Sequence, residues 1–207
     1  MDFLSQQYRL FLRFWKETLT RYLPLSAFLL MGSILLGYVG CVYNPDAAEE
    51  AMDAFRELVE ESGAISSDGR LKAIPILNNN WSAMMNILVY GVIPFCYLPA
   101  LSLASNGLLL GMMAAHYYNN GLPVMMAVAG VLPHGIFEIP ALILAGAGGT
   151  YFCQQITRRI RRRNKSFSYG QILEDLLRVL LLAIFPLILI AAVVECYVTP
   201  QVLSMFF

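Results

Sequence analysis

The sequence predicts an all-α polytopic membrane protein with about five transmembrane crossings and at least one broken helix. Hydrophobic residues make up 58% of the 207 residues and charged residues only 14%, whereas soluble domains carry about 25% charged residues. Long uncharged runs, among them residues 22–43 and 73–137, alternate with short charged segments, and these two runs are long enough to cross a bilayer at least once. Residues 1–207 are therefore expected to form a single membrane domain, with no large soluble domain to carry a separate activity.

The amino-terminal segment, residues 1–21, is predicted to be an amphipathic basic helix at the cytoplasmic interface. Arg9, Arg13, Lys16 and Arg21 alternate there with aromatic and aliphatic residues, a pattern typical of interfacial helices. A basic flank that only orients the first span is the other interpretation. Residues 22–43 contain no charged residue and match the roughly 20 residues that a crossing requires. They are the predicted first span.

Residues 44–80 are predicted to form an extracytoplasmic loop that contains a short helix. Eight acidic and three basic residues occupy the stretch from Asn44 to Lys72. Asn44 suits an N-cap, Pro45 suits the first helical position, and Gly63 suits a stop. The apolar positions between them recur at helical spacing. The expected amphipathic helix, Pro45–Ser62, either packs over the mouth of the bundle or presents a face to a partner.

Residues 81–157 are predicted to form a core with broken helices. A span at residues 81–101 contains Pro94 and Pro99, and residues 102–118 form a third segment that either crosses or re-enters. Residues 122–153 would measure about 48 Å as one straight helix, which exceeds a hydrocarbon core of about 30 Å. Because Pro133 can start a helix and Pro140 cannot extend one, we expect a break near Leu132–Pro133.

The segment 158–178 is predicted to be a cytoplasmic basic loop, followed by a last span at residues 179–199. Six bases fall within its first eight residues: Arg158, Arg159, Arg161, Arg162, Arg163 and Lys165. Bases beside a span indicate the cytoplasmic side rather than a nucleic-acid site, and no nucleic-acid partner is expected. The protein is thus expected in the cell (cytoplasmic) membrane, in contact with the lipid bilayer, with a cytoplasmic amino terminus and an extracytoplasmic carboxyl terminus.

Two isolated acids stand out in the apolar region. Glu138 is the only Asp, Glu, Lys or Arg between Lys72 and Arg158, and Glu195 is the only one after Arg178. His134 precedes Glu138 by four residues, so a helix places both on one face. Ionisable residues within membrane segments are costly and mark functional sites. An intramembrane polar cluster is therefore predicted, with members Asn106, His134, Glu138 and Glu195.

Small residues predict where helices pack. Gly107 and Gly111 are four residues apart, and Ala141, Ala145 and Gly149 continue the helix face of His134 and Glu138, so that this pair should point into a helix–helix contact. The residues predicted to set helix packing or breaks are Gly107, Gly111, Pro133, Gly135, Pro140, Ala141, Ala145 and Gly149.

Three roles remain open for the His134/Glu138 pair. It can lock the fold through hydrogen bonds, it can form a proton- or cation-linked site, or it can belong to a metal centre that His116 or Glu195 would have to complete. The sequence has no His-Glu-x-x-His and no Gly-x-Ser-x-Gly motif. We therefore expect no catalytic residues, no cofactor and no resident metal.

Three strings resemble the stage II sporulation protein M family. These are Asn106-Gly107-x-x-x-Gly111, the run from Pro133 to Ala141 with its His-Gly-Ile-Phe-Glu core, and Glu195-x-x-Val198-Thr199-Pro200. The resemblance implies an integral membrane scaffold or anchor for wall-degrading partners of an envelope complex, without enzymatic activity. A small proton- or cation-linked transporter using Glu138 and Glu195 is the alternative. Pairing into a homodimer through small-residue faces is a further expectation.

Overall fold

The computed structural model describes residues 3–66, 70–161 and 168–206, and these residues form a bundle of α-helices. A π-helical turn at Leu180–Ile184 joins helix Tyr169–Val179 (α7) to helix Phe185–Tyr197 (α8). Four of the described helices are long and apolar enough to cross a membrane: Leu23–Tyr43 (α2), Leu98–Asn119 (α5), Val124–Ile160 (α6) and the continuous α7–α8 unit. The described helices are α1 Phe3–Glu17, α2 Leu23–Tyr43, α3 Pro45–Glu61, α4 Ala73–Tyr90, α5 Leu98–Asn119, α6 Val124–Ile160, α7 Tyr169–Val179, α8 Phe185–Tyr197 and α9 Thr199–Leu203.

The bundle has two chemically different ends. One end carries α1, the start of α2 and the arginines at the end of α6, and we call it the basic end. The other carries α3 and α9, and we call it the acidic end. Between the two ends the described residues make five passes, formed in order by α2, α4, α5, α6 and the α7–α8 unit, of which α4 is not among the four helices long and apolar enough to cross a membrane. The chain is therefore an all-α polytopic membrane protein, as the composition predicts.

The α2 and α5 helices run parallel and approach each other closely. A methyl group at Gly107 would overlap the Ser33 hydroxyl, and one at Gly111 would overlap the Ile34 carbonyl oxygen. Only glycine allows backbones to come this close, which is the packing expected of small residues in lipid. The predicted role of both glycines in helix packing fits this contact.

The connection between α4 and α5 is the interruption predicted around Pro94. Phe95 and Tyr97 adopt positive φ angles of 68° and 46°, and this conformation is strained for large side chains. The segment is tied to α6, because the Phe95 N–H donates to the Thr157 hydroxyl at 3.0 Å and the Cys153 thiol donates to the Ile93 carbonyl at 3.2 Å. Irregular backbone at membrane depth requires such protein partners.

The predicted break near Leu132–Pro133 is wrong. The α6 helix runs without interruption for 37 residues, with Pro133 and Pro140 inside it. Each proline removes one donor, which frees the carbonyls of Ala129 and Ile136, but a helix packed by neighbours continues through such a defect. The observed helix is about 55 Å long, longer than a hydrocarbon core of about 30 Å, and its extra length extends beyond the apolar layer. The acidic end of α6 extends under α9, where Gly130 lies beside Leu203.

Two predicted boundaries also shift. The second pass begins at Ala73 rather than Trp81. Ile76 and Met84 are buried on one face of α4, so the asparagines between them, residues 78–80, belong to the same helix. The predicted basic loop is shorter, since α6 continues to Ile160 and α7 begins at Tyr169. Three of its predicted topology residues, Arg162, Arg163 and Lys165, lie outside the described residues.

The α1 helix packs on the bundle through its aromatic face. Phe11 and Phe14 are buried, and Gln7 accepts a hydrogen bond from Arg178 of α7 at 2.7 Å. Arg178 also pairs with Asp175 at 2.7 Å and with Glu174 at 2.9 Å. The basic amphipathic helix is thus fixed to the last pass by a polar network as well as by apolar burial.

Candidate functional site

The candidate site starts from two side chains one helical turn apart on α6. His134 Nε2 lies 4.0 Å from Glu138 Oε2, and the two side chains are 13% and 26% exposed. Both residues lie in the same stretch of α6, and residues i and i+4 of one helix share a face. The pair lies on the carboxyl-terminal side of the break predicted near Leu132–Pro133, so its shared face does not depend on whether that break exists.

Glu195 joins this pair from α8, which runs antiparallel to α6 in the bundle. One ligand atom from each of His134, Glu138 and Glu195 can be chosen so that all three lie within 4.8 Å of one another. We call these three residues the triad. Two of its members are the lone acids of the apolar sequence, so residues 57 positions apart converge on one point at the acidic half of the bundle.

Thr199, the first residue of α9, orients the histidine. Its hydroxyl oxygen lies 3.2 Å from His134 Nδ1 and 3.4 Å from the Val194 carbonyl oxygen, and Thr199 is buried. A hydroxyl has one hydrogen to give. When it donates to Val194, it accepts from the Nδ1–H of His134, and the Nε2 lone pair then faces Glu138. In the sequence, Thr199 stands out only as part of the family-like string Glu195-x-x-Val198-Thr199-Pro200, and its role beside His134 was not predicted.

The triad lies inside the apolar layer, nearer the acidic end. Leu103 of α5 packs against Gly146 of α6, and this antiparallel register places Glu138 level with Gly111. Gly111 lies against the α2 turn that follows Ile34. By helix rise, this level is about 20 Å from the basic end of α2 and about 10 Å from its acidic end. The three ionisable groups are therefore within the predicted membrane region.

The other predicted polar residues lie elsewhere. Asn106 is half-buried on α5, where its amide donates to the Ser102 carbonyl of its own helix at 2.8 Å, so it is not brought to the triad. His116 contacts Asn120 near the end of α5. Asn80 of α4 is buried, and its Nδ2 has no hydrogen-bond partner within the described part of the chain. Nothing in the sequence distinguishes this amide from those of the two asparagines that precede it.

The small face of α6 packs against neighbouring helices below the triad. Ala141 and Ala145 are fully buried, and a methyl group at Gly149 would lie 2.5 Å from the Ile87 carbonyl oxygen of α4. Gly135 is buried against Val131 of its own helix. Pro140 is exposed toward an apolar groove of about 820 Å³. The stripe that continues the His134 face is thus a helix contact, as its spacing predicts.

The three side chains of the triad face one another with hydrogen-bond acceptors, which are the two carboxylates and the Nε2 lone pair of His134. Within the described residues, no Lys or Arg pairs with either carboxylate, and the one ion-pair contact at the site joins His134 to Glu138 and is charged only when the histidine is protonated. Two ionised carboxylates in an apolar layer require protons or a cation to neutralise them. Carboxylate oxygens and imidazole nitrogen are also ligands of divalent metals. The geometry thus supports proton binding, cation binding or a locked hydrogen-bonded state.

Comparison with known proteins gives a family match. The family model described as stage II sporulation protein M matches residues 26–200, a range that contains the triad and Thr199. An uncharacterized protein of Methanocaldococcus jannaschii is 29% identical over 127 residues, which are 61% of this chain and 70% of that protein. No solved structure matches the chain.

Proposed function

The chain belongs to the stage II sporulation protein M family, and from that premise we propose that it is a non-enzymatic membrane scaffold for a cell-envelope complex. In this proposal α3 is the docking element, and its partner is an envelope protein with a basic extracytoplasmic surface, of the wall-remodelling class that the family resemblance implies. The observation that carries the proposal is the way α3 is fixed to the bundle while its acids face outward.

The α3 helix is held by a narrow apolar face. Ala48 and Met52 are buried, and Ala48 packs with Cys41 of α2 and Ala115 of α5. Its acidic residues are all exposed: Asp46, Glu49, Glu50, Asp53, Glu57, Glu60 and Glu61. Arg56 pairs with Asp53 at 2.9 Å and is the single base of the helix. Such a fixed acidic surface favours a basic partner through electrostatic complementarity.

The same charge segregation supports a topology with the basic end in the cytoplasm. The described basic end carries Arg9, Arg13, Lys16, Arg21, Arg158, Arg159, Arg161 and Arg178. Bases near membrane segments favour the cytoplasmic side, which leaves α3 and the carboxyl terminus outside.

Thiol labelling of intact cells tests this topology. A Glu50→Cys variant should react with a membrane-impermeant maleimide, whereas the exposed Cys96 at the basic end should react only after the membrane is permeabilised. Cys96 is thus an internal control. Labelling of Cys96 in intact cells, with Glu50→Cys protected, would reverse the proposed orientation.

The scaffold role is tested by photocrosslinking in the native membrane. A crosslinking amino acid at position 50 should capture an envelope protein with a basic external surface, and the yield should fall when Glu49 and Asp53 are both replaced by lysine. The matched control is Glu17→Lys, which reverses an exposed acid at the opposite end. Equal capture in all variants, or no adduct at position 50, would remove the support for α3 as the docking element.

The triad favours a second candidate, a small proton- or cation-linked transporter. Broken or packed helices with ionisable groups at membrane depth are a common arrangement for coupled ion sites. Purified protein in liposomes should then show proton or cation flux that Glu138→Gln abolishes while the fold persists. Wild-type protein that gives no flux above empty liposomes would exclude this candidate and leave the scaffold proposal standing.

A further inference from the structure

The triad offers the donor set of a metal centre. From the sequence, a metal centre at His134 and Glu138 would need a third ligand, either His116 or Glu195. No resident metal is therefore expected from the sequence. The structure brings Glu195 to His134 and Glu138, with one donor atom of each within 4.8 Å of the others, and leaves His116 in its own turn of α5. We propose that His134 Nε2 and the carboxylates of Glu138 and Glu195 bind one divalent transition-metal ion, of the Zn²⁺ class.

The distances are close to those that coordination requires. Metal–nitrogen and metal–oxygen bonds of about 2.0–2.2 Å in a tetrahedral site separate the donor atoms by about 3.4 Å. The donor atoms here are within 4.8 Å of one another. Rotation of the glutamate side chains closes the remaining gap, because each carboxylate is carried on a flexible stem while the α6 and α8 backbones stay packed.

Charge neutrality is a second argument that is independent of the spacing. Two ionised carboxylates carry a charge of −2, and within the described chain no Lys or Arg forms an ion pair with either of them; the one ion-pair contact at the site is His134–Glu138 at 4.0 Å. A divalent ion cancels the two negative charges, which removes most of the penalty for placing them in an apolar layer. One imidazole and two carboxylates suit Zn²⁺ or Mn²⁺ better than Mg²⁺ or Ca²⁺, which prefer all-oxygen sites.

Thr199 supplies the outer partner that a metal-bound histidine needs. Its hydroxyl faces Nδ1 at 3.2 Å and the Val194 carbonyl at 3.4 Å. Hydrogen bonding at Nδ1 fixes the tautomer with the lone pair on Nε2, the nitrogen that faces Glu138. Thr199 is a positioning residue in this proposal. A bound ion would join α6 and α8 directly and α9 through this hydroxyl.

The experiment uses the full chain in lipid nanodiscs, purified without a polyhistidine tag because such a tag binds the same ions. The protein is stripped with EDTA, and Zn²⁺ is then added and counted by elemental analysis; Co²⁺ serves as the spectroscopic probe. Wild type should bind about one ion per chain, and Co²⁺ should give the visible absorption of a low-symmetry site. His134→Ala and Glu195→Gln should lose both signals.

The control is the other histidine. His116→Ala should bind as wild type does, and the chain has only these two histidines. Thr199→Val keeps the ligands and should weaken binding by about 10- to 100-fold without changing the number of ions. It keeps the proposal testable if the ligand variants do not fold.

Two results would overturn the proposal. One is a folded wild type that takes up neither Zn²⁺ nor Co²⁺, which would leave protons to neutralise the carboxylates. The other is a His134→Ala variant that takes up as much metal as wild type, or a Thr199→Val variant that binds the metal with the same affinity as wild type. Metal uptake at the triad does not involve α3, so a negative result here can be distinguished from a failure of the scaffold proposal.

Discussion

The two helix contacts described above hold the bundle together by different means. Between α2 and α5 the helices meet at Gly107 and Gly111, backbone against backbone. At the meeting of α6, α8 and α9 the contact carries His134, Glu138 and Glu195. The first contact depends on shape, and the second depends on what neutralises its charges.

This difference implies different responses to conditions. Packing of small residues in lipid relies on van der Waals contact, so the α2–α5 contact should be insensitive to chelators. The triad is stable only when its carboxylates bind protons, a cation or hydrogen-bond donors. One half of the molecule is therefore expected to be fixed and the other to respond to its ligand.

The largest expected effect is on the shape-dependent contact. Gly111→Ala places a methyl group onto the Ile34 carbonyl, and overpacking of this kind costs about 1–3 kcal/mol. Gly40→Ala is the matched control, because a methyl group there meets nothing within 4 Å, and helix propensity alone would stabilise it by up to about 1 kcal/mol. The thermal unfolding midpoint in detergent measures both. Equal midpoints would contradict the close approach of α2 and α5.

The next largest effect is on the stability of Glu195→Gln relative to wild type, and it should differ between EDTA and Zn²⁺. In EDTA, Glu195→Gln should be as stable as wild type or more so, since it removes one uncompensated charge from the apolar layer. With Zn²⁺ at about 100 times its dissociation constant, wild type should gain about 2.7 kcal/mol, and the variant should gain nothing. Unfolding midpoints with and without Zn²⁺ test this. A variant that is equally destabilised in both conditions would make Glu195 a structural residue only.

A smaller effect is expected at Thr199. Thr199→Val removes the hydroxyl between His134 and Val194, and loss of a buried hydrogen bond costs about 1 kcal/mol. Thr20→Val is the control, because the Thr20 hydroxyl bonds the Lys16 carbonyl in an exposed turn. Unfolding in EDTA measures the difference. If Thr199→Val loses no more stability than Thr20→Val, the Thr199 hydroxyl does not stabilise the contact between α9 and the triad.

The smallest effect is expected at Asn106. Its amide bonds within its own helix, so Asn106→Leu should change stability by no more than about 0.5 kcal/mol and should leave metal uptake unchanged. A variant that loses Zn²⁺ would return Asn106 to the cluster in which the sequence predicted it.

Sequence reasoning predicted the parts of the fold that follow from composition and spacing. The apolar runs predict the passes, and the pair Gly107/Gly111 predicts a close contact. Sequence did not predict the continuity of α6, because local proline chemistry favours a break while tertiary packing maintains the helix. Glu195 and Glu138 were identified as exceptional, but their meeting depends on how α6 and α8 pack, and no local pattern encodes that register.

The uninterrupted course of α6 also means that the two membrane faces share one stiff element. His134 touches α9 near one face, and Thr157, about 35 Å along the same axis, holds the strained turn before α5 near the other. An α-helix is hard to compress along its axis, because successive turns are hydrogen-bonded to one another, and Pro133 and Pro140 each remove only one of these bonds. A shift of α6 produced at one face of the membrane is therefore felt directly at the opposite face.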